Sequence, residues 1–247
     1  MVTRRHRVAI VCRGRFTELR FLAVVAGGID SCGVTLDGKA YCWGSPQEGR
    51  LGTGSADAAN KSADKAVPTA VAADLLFATV TPRSWHTCGL SSNGAAFCWG
   101  GAGVHGVLGA PNSIRADFVP VPVRVSGSPD WATVAVGLYH NCALTRDGVA
   151  YCWGENTDGE LGDGTTRDAA APRRVATNRR FIAIAAGGGA FVAKPGDVST
   201  WGFTCAVTTD DRGVLCWGDN RHGALGNGST KRALTPVPIS DPTGSIH

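Results

Sequence analysis

The sequence predicts an all-β protein made of four small antiparallel sheets, and three observations carry that prediction. A cysteine pair that brackets a turn and ends in Trp-Gly is written four times, with Trp43, Trp99, Trp153 and Trp217 spaced 56, 54 and 64 residues apart. Short apolar runs rich in Val, Ala, Ile and Thr alternate with turn residues. Glycine is abundant, at 34 of 247 residues. Self-similarity at a period of about 50 residues marks a repeat architecture and outranks any single motif.

In chain order, residues 1–21 come first, a basic N-terminal extension or the remnant of a lost unit. The cluster at residues 4–7 reads as a solvated tail rather than a nucleic-acid arm. The apolar stretch 8–12 is short and broken by Arg13, Arg15, Glu18 and Arg20, so it does not make a secretion signal. The repeat domain follows over 22–242, in units of about 22–77, 78–131, 132–181 and 182–242. Each unit opens on an apolar run (LAVVAGG, FATVTPR, WATVAVG, FIAIAAGGG) read as a strand.

The cysteine segment comes next: DSCGVTLDGKAYCWG (30–44), HTCGLSSNGAAFCWG (86–100), HNCALTRDGVAYCWG (140–154) and FTCAVTTDDRGVLCWG (203–218). Alternation places Cys142, Leu144, Ala150 and Cys152 on one face of two strands. The loop 146–148 is a three-residue turn with Gly where a positive φ is needed. The shared elements EGRLGTGS, HGVLGAP, DGELGDGTT and HGALGNGST follow, their Leu-Gly read as a buried plug. A Pro-Val segment (VPTAV, PVPVRV, APRRV, TPVPI) supplies a fourth strand near an edge, where Pro is tolerated. Such a sheet cannot bury both faces alone, so the units must stack.

The pattern Gly-x-x-His-x-Cys-Ala-Leu, a turn, then Tyr-Cys-Trp-Gly-x-Asn-x-x-Gly-x-Leu-Gly-x-Gly-Thr resembles the regulator of chromosome condensation repeat, in the Cys-Trp-Gly form of its bacterial members. The likeness covers about residues 22–239. It implies a β-propeller with one blade per unit. Family propellers usually have seven blades, so four imply a fragment, an open or small propeller, or one completed by partners. The copies diverge: Asp30 replaces the His of units two and three, unit two has Gly-Ala-Gly-Val-His-Gly at 101–106, and unit four inserts GAFVAKPGDVSTWG and lengthens its turn by one residue.

Eight of nine cysteines form the repeated pairs Cys32/Cys42, Cys88/Cys98, Cys142/Cys152 and Cys205/Cys216. Counting outward from the loop 146–148 sets Cys142 opposite Cys152, and the same count serves the first two units. In unit four a loop at 209–212 absorbs the extra residue and restores opposition. Opposed Cα atoms lie within disulfide range. The pairs are therefore read as structural disulfides worth roughly 2–3 kcal/mol each on the loop-entropy estimate. Reduced cysteines packed as small core residues are the competing reading. The spacings suit neither a zinc site nor a C-x-x-C redox centre. If paired, the cysteines imply a periplasmic or extracellular protein; if reduced, a cytoplasmic one. Cys12 is left over.

His86 and His140 occupy equivalent positions and read as structural, each bonding a neighbouring backbone. The four repeated tryptophans read as packing between blades, their indole N–H groups in need of partners. Trp85, Tyr139 and Trp201 sit at less regular positions just before the cysteine strand; they are candidates for an exposed binding rim, with core packing the rival reading. GDGTT at 162–166 is no phosphate loop, since no helix follows and no Lys is placed for it. A net charge of +4 argues against a nucleic-acid surface. No apolar run approaches the roughly 20 residues of a membrane span. Catalytic, metal and cofactor sets are absent from the pattern.

Two functions follow. The first is a non-catalytic propeller module that binds a protein through its loops (60–66, 101–106, 112–118 and 189–201), since recognition sits on loops of rigid scaffolds; the family includes secreted bacterial inhibitors that bind an enzyme through one propeller face. The alternative, implied by the eukaryotic founder, is guanine-nucleotide exchange on a small GTPase, although the chain shows no counterpart of the wedge and acidic surface credited with that activity.

Overall fold

The computed structural model describes residues 10–11, 19–54, 63–83, 85–101, 105–110, 117–127, 130–194 and 197–240. Cys12, the basic cluster 4–7 and parts of the loops 60–66, 101–106 and 112–118 lie outside the described residues. The fold is all-β, with four antiparallel sheets in which strands pair in chain order. The first holds β1 (Ile10–Val11), β2 (Arg20–Ala26), β3 (Asp30–Thr35), β4 (Ala40–Gly44) and β5 (Lys65–Ala70). The second holds β6 (Phe77–Pro82), β7 (His86–Ser91), β8 (Ala96–Gly101) and β9 (Phe118–Arg124). β10 (Trp131–Val136), β11 (His140–Thr145), β12 (Ala150–Gly154) and β13 (Ala169–Arg174) make the third. β14 (Phe181–Lys194), β15 (Asp197–Thr208), β16 (Val214–Gly218) and β17 (Ala233–Pro238) make the fourth.

The turns set the register. In the third sheet Cys142 pairs with Cys152 and Leu144 with Ala150, and the Thr145 N–H donates to the Val149 carbonyl across the loop. Sheets one and two repeat this arrangement, setting Cys32 opposite Cys42 and Cys88 opposite Cys98. Gly38, Gly94 and Gly148 stand in these turns at φ of 83°, 86° and 81°, where a side chain would be strained. In the fourth sheet the longer loop returns Cys205 opposite Cys216, and the left-handed position falls on Arg212, at φ 60°. Each turn is stapled by the hydroxyl of Thr35, Ser91, Thr145 or Thr208, which bonds the side chain of Asp37, Asn93, Asp147 or Asp211.

The core lies between sheets. Between units one and two it gathers Cys32, Val34, Ala40, Cys42, Leu51 and Val71 from one side, and Phe77, Val80 and Trp99 from the other. The next junction sets Cys88, Leu90, Ala96 and Cys98 against Trp131 and Trp153. The last repeats the arrangement around Phe181 and Trp217. Every extensive contact between sheets among the described residues joins consecutive units, so the blades follow one another in chain order.

Three hydrogen-bond devices recur at these junctions. The indoles of Trp99, Trp153 and Trp217 donate to the carbonyls of Arg50, Val107 and Glu160 in the preceding unit, at 3.0, 3.0 and 2.8 Å. Those carbonyls are the x of each Gly-x-Leu-Gly. Each also accepts a second bond, from Thr87 (2.9 Å), Asn141 (2.8 Å) or Thr204 (3.2 Å). The third device uses the histidines. His86 Nε2 meets Asn141 Oδ1 at 2.9 Å, and His140 Nε2 meets Thr204 Oγ1 at 3.0 Å. Thr204 gives its only hydrogen to Glu160, so His140 must donate to it. These histidines therefore bond side chains of the next unit rather than a neighbouring backbone, because the facing position carries a hydroxyl or amide within reach.

Candidate functional site

The residue after each Trp-Gly folds back on the strand before it: Ser45, Gly101, Glu155 and Asp219 donate their N–H groups to the carbonyls of Ile29, Trp85, Tyr139 and Gly202. The glycine of Trp-Gly permits this at φ near 105°. A Cβ on Gly44 or Gly154 would lie 2.5 or 2.4 Å from the carbonyl oxygen of Ile29 or Tyr139. Trp85 and Tyr139 are thus equivalent positions on one rim, more regular than the sequence suggested, whereas Trp201 precedes its own counterpart, Gly202, by one residue.

Trp85 is 38% exposed, with the Arg50 guanidinium over its ring at 5.5 Å. The half-buried Tyr139 lies next to it. The Tyr139 ring lies 6.2 Å from that of His105, which bonds the Asp168 carboxylate. Glu155 continues the rim through Thr200, whose hydroxyl donates to it at 3.3 Å. Trp201 follows, half-buried, its ring 6.3 Å from His222. The candidate residues Trp85 and Tyr139 are brought together, and Trp201 joins them only through Glu155 and Thr200.

Sequence reasoning missed the ionisable half of this rim. Glu48, His105, Asp158 and His222 each immediately precede the glycine of Gly-x-Leu-Gly, a signal legible in the aligned copies. Asp158 accepts from Arg221 at 2.8 Å, and Arg232 reaches it at 3.5 Å, tying unit three to unit four. Burial raises the Glu155 carboxyl, opposed by the His105 charge. Burial also lifts Glu160 to about 7, against the pull of its own and the Asp158 backbone N–H groups. Among the described residues no group of three or more His, Cys, Asp or Glu could hold a metal ion. His105 has a carboxylate partner in Asp168 and no bonded nucleophile among the described residues.

The fourth unit departs furthest from the others. The insertion read as a loop is instead a β-ribbon, with β14 and β15 of 14 and 12 residues paired from Ala183–Val207 out to Lys194–Asp197. Triple glycine makes this possible, because Phe203 and Trp201 lie across Gly187 and Gly189. The ribbon carries Phe191, 62% exposed.

The pairs Cys32–Cys42, Cys88–Cys98, Cys142–Cys152 and Cys205–Cys216 lie across their hairpins with Cα atoms 4.1 Å apart and sulfurs at bonding distance, 2.07–2.18 Å. The two readings of these residues, cross-strand bond and small core side chain, meet in one place. Cys98 is fully buried, as is Cys88 opposite it, and both lie in the junction that holds Trp131 and Trp153. The first three pairs thus form the floor on which the next unit's aromatics rest.

Comparison with known proteins agrees with this geometry. The chain is similar to human WBSCR16 (TM-score 0.75, 20% identity, covering 94% of this chain and 56% of that one). It is also similar to yeast RCC1 (Prp20) in its complex with Kap60 (TM-score 0.73, 19% identity, 93% and 51%). Among sequences, the ultraviolet-B receptor UVR8 of Arabidopsis thaliana is 28% identical over 228 residues, 91% of this chain and 47% of the receptor. The human E3 ubiquitin-protein ligase HERC2 is 30% identical over 217 residues, 86% of this chain and 4% of the ligase. The chain thus spans about half the length of the receptor and of the solved propellers. Two family models, both described as the regulator of chromosome condensation (RCC1) repeat, match residues 131–160 and 198–224, and residues 93–144, 147–193 and 212–246. With its blades, its clamped tryptophans and more than half its residues matched, the chain belongs to the regulator of chromosome condensation repeat family.

Proposed function

We propose that the chain is a non-catalytic protein-binding module of an exported protein, and that its partner seats on the Trp85–Tyr139–Trp201 rim and the β14–β15 ribbon. The observation that carries this reading is the ribbon. One unit of four has extended its first hairpin well past the sheet, and the extension presents a large apolar side chain to solvent. An exposed Phe on a projecting two-stranded arm adds nothing to the blade core, whereas aromatic anchors beside a polar, charged rim suit an interface. The cysteine geometry supports the export half of the proposal, since such pairs persist in oxidising compartments.

The test places a photoreactive phenylalanine analogue at Phe191 of the full chain and crosslinks it to the proteins of its compartment. A captured protein is then purified and titrated by calorimetry. Excising residues 189–201 and closing Gly188 to Gly202 through a short turn is expected to abolish binding while leaving the unfolding midpoint in place. Unchanged affinity overturns the reading. Accelerated release of labelled GDP from a small GTPase favours the exchange-factor alternative. Intact mass without reductant checks export: eight free thiols count against it.

A further inference from the structure

Each internal junction fills the Gly-x-Leu-Gly of one unit with the next unit. A Cβ on Gly52, Gly109 or Gly162 would strike the incoming indole of Trp99, Trp153 or Trp217 at 2.6–2.8 Å. A Cβ on Gly49, Gly106 or Gly159 would strike Pro120, Ala170 or Leu234 on the next unit's last strand, at 2.5–2.6 Å. Unit four builds the same receptor in Gly223-Ala224-Leu225-Gly226, with the same left-handed glycines at φ 73° and 61°. Here nothing among the described residues approaches Gly223 within 4 Å, and Gly226 meets among them only its own unit's Ile239, at 3.6 Å. No donor among the described residues reaches the Ala224 carbonyl.

Beside it lies an open groove of about 530 Å³, walled by Val214, Leu215, Pro238 and Ile239 together with the charged Arg179, Asp211 and Arg212. Ile239 is 38% exposed, although its counterparts Val71, Val125 and Val175 are buried. Cys205 is likewise half-buried, where Cys32, Cys88 and Cys142 are fully buried.

The first sheet shows the complementary half. Trp43 is half-buried and its indole has no acceptor among the described residues, unlike Trp99, Trp153 and Trp217. Ser31 stands where Thr87, Asn141 and Thr204 supply the second bond. Val24, 38% exposed, matches the buried Val80.

We propose that a second copy of this chain docks head to tail, its first unit seating on the fourth unit of its neighbour, with Trp43 and Ser31 donating to the Ala224 carbonyl. Each copy carries both halves of the junction, so in the proposed pair each first unit seats on the other's fourth and the association closes. This inference stands independently of the rim-binding reading, because the surfaces differ.

Sedimentation velocity on the purified full chain is expected to show a species with the mass of two chains. Ile239→Lys blocks the fourth unit and Val24→Lys blocks the first; both positions are already solvent-exposed, so circular dichroism should report an unchanged fold. Each variant alone is expected to be monomeric. Mixing them leaves one intact junction and should restore a two-chain species, which a face-to-face dimer would not do. A monomeric wild type, dimers that persist in either variant, a mixture that stays monomeric, or species that lengthen steadily with concentration each overturns the proposal.

Discussion

Asp30→Asn probes the junction where the histidine rung is missing. Asp30 takes the position of His86 and His140, is buried, and has no hydrogen-bond partner among the described residues at either carboxylate oxygen. Burial lifts its pKa from 3.8 to about 6, with the Arg50 charge pulling the other way. The folded chain therefore holds a proton that the unfolded chain releases, so this residue's stabilising contribution is complete below pH 3.8 and is lost as the pH rises through 6. A shift of that size is worth at most about 3 kcal/mol. Asn has the same shape without the charge, and its amide still lacks partners, so the variant should gain about 1–3 kcal/mol at pH 8 and almost nothing at pH 4. The difference between variant and wild type must be read, because the histidines act in the opposite sense. Burial holds His86 down at about 4 and His140 at about 3, so they cost stability as the pH falls below 6.5. Urea unfolding at half-unit steps from pH 4 to 8 gives both curves. A difference that stays flat across that window, or a wild type more stable than the variant at pH 8, refutes the argument.

Trp153→Phe removes the indole bond to Val107 and leaves a small void in a fully packed junction, so it should cost about 1–3 kcal/mol in chemical unfolding. The same change at the half-buried Trp43 should cost less. Arg212→Gly should stabilise the chain by about 1 kcal/mol, because the left-handed turn position at φ 60° then carries no Cβ; a lower melting temperature would contradict this. Under graded reductant, alkylation and mass mapping should find Cys205–Cys216 opened first and Cys88–Cys98 among the last, since Cys205 alone of the eight is half-buried. Glu160→Gln should stabilise the chain above pH 7 and have little effect near pH 4, because burial raises this carboxyl and the folded form prefers the proton.

Much of the fold is legible because the repeat writes its own controls. The fourth copy lengthens its turn and its cysteine spacing together, so cross-strand opposition can be counted without coordinates, and the register of Cys205 with Cys216 agrees with that count. The packing role of Trp99, Trp153 and Trp217 is equally plain. The carbonyl that each indole seeks is not, because Arg50, Val107 and Glu160 share no side-chain type; a backbone acceptor leaves no trace in residue identity. The β14–β15 ribbon reads as a loop in the sequence because its glycines and Pro195 are turn residues by composition. Its pairing depends on cross-strand aromatics, which only register reveals. The ionisable rim positions are visible in the aligned copies but vary between Glu, His and Asp, so no single motif announces them.

These particulars explain why the unit is copied so closely in one part and so loosely in another. A blade of this kind buries little within itself; its cysteine pair, its small Ala and its Leu-Gly plug become core only when the next unit's aromatic lies on them. Each side chain in the clamp therefore answers to two units at once. A change at Trp153 must suit Val107, Gly109 and Asn141 together, which holds the clamp to a narrow set of residues. The residue before each Gly-x-Leu-Gly lies outside the clamp and is Glu48, His105, Asp158 or His222 in turn. Where it bridges units, as His105 does to Asp168 and Asp158 to Arg221, it does so through side chains alone and leaves the indole clamp untouched. Stability is thus lodged between blades and variety along the rim, the division that the proposed recognition role requires.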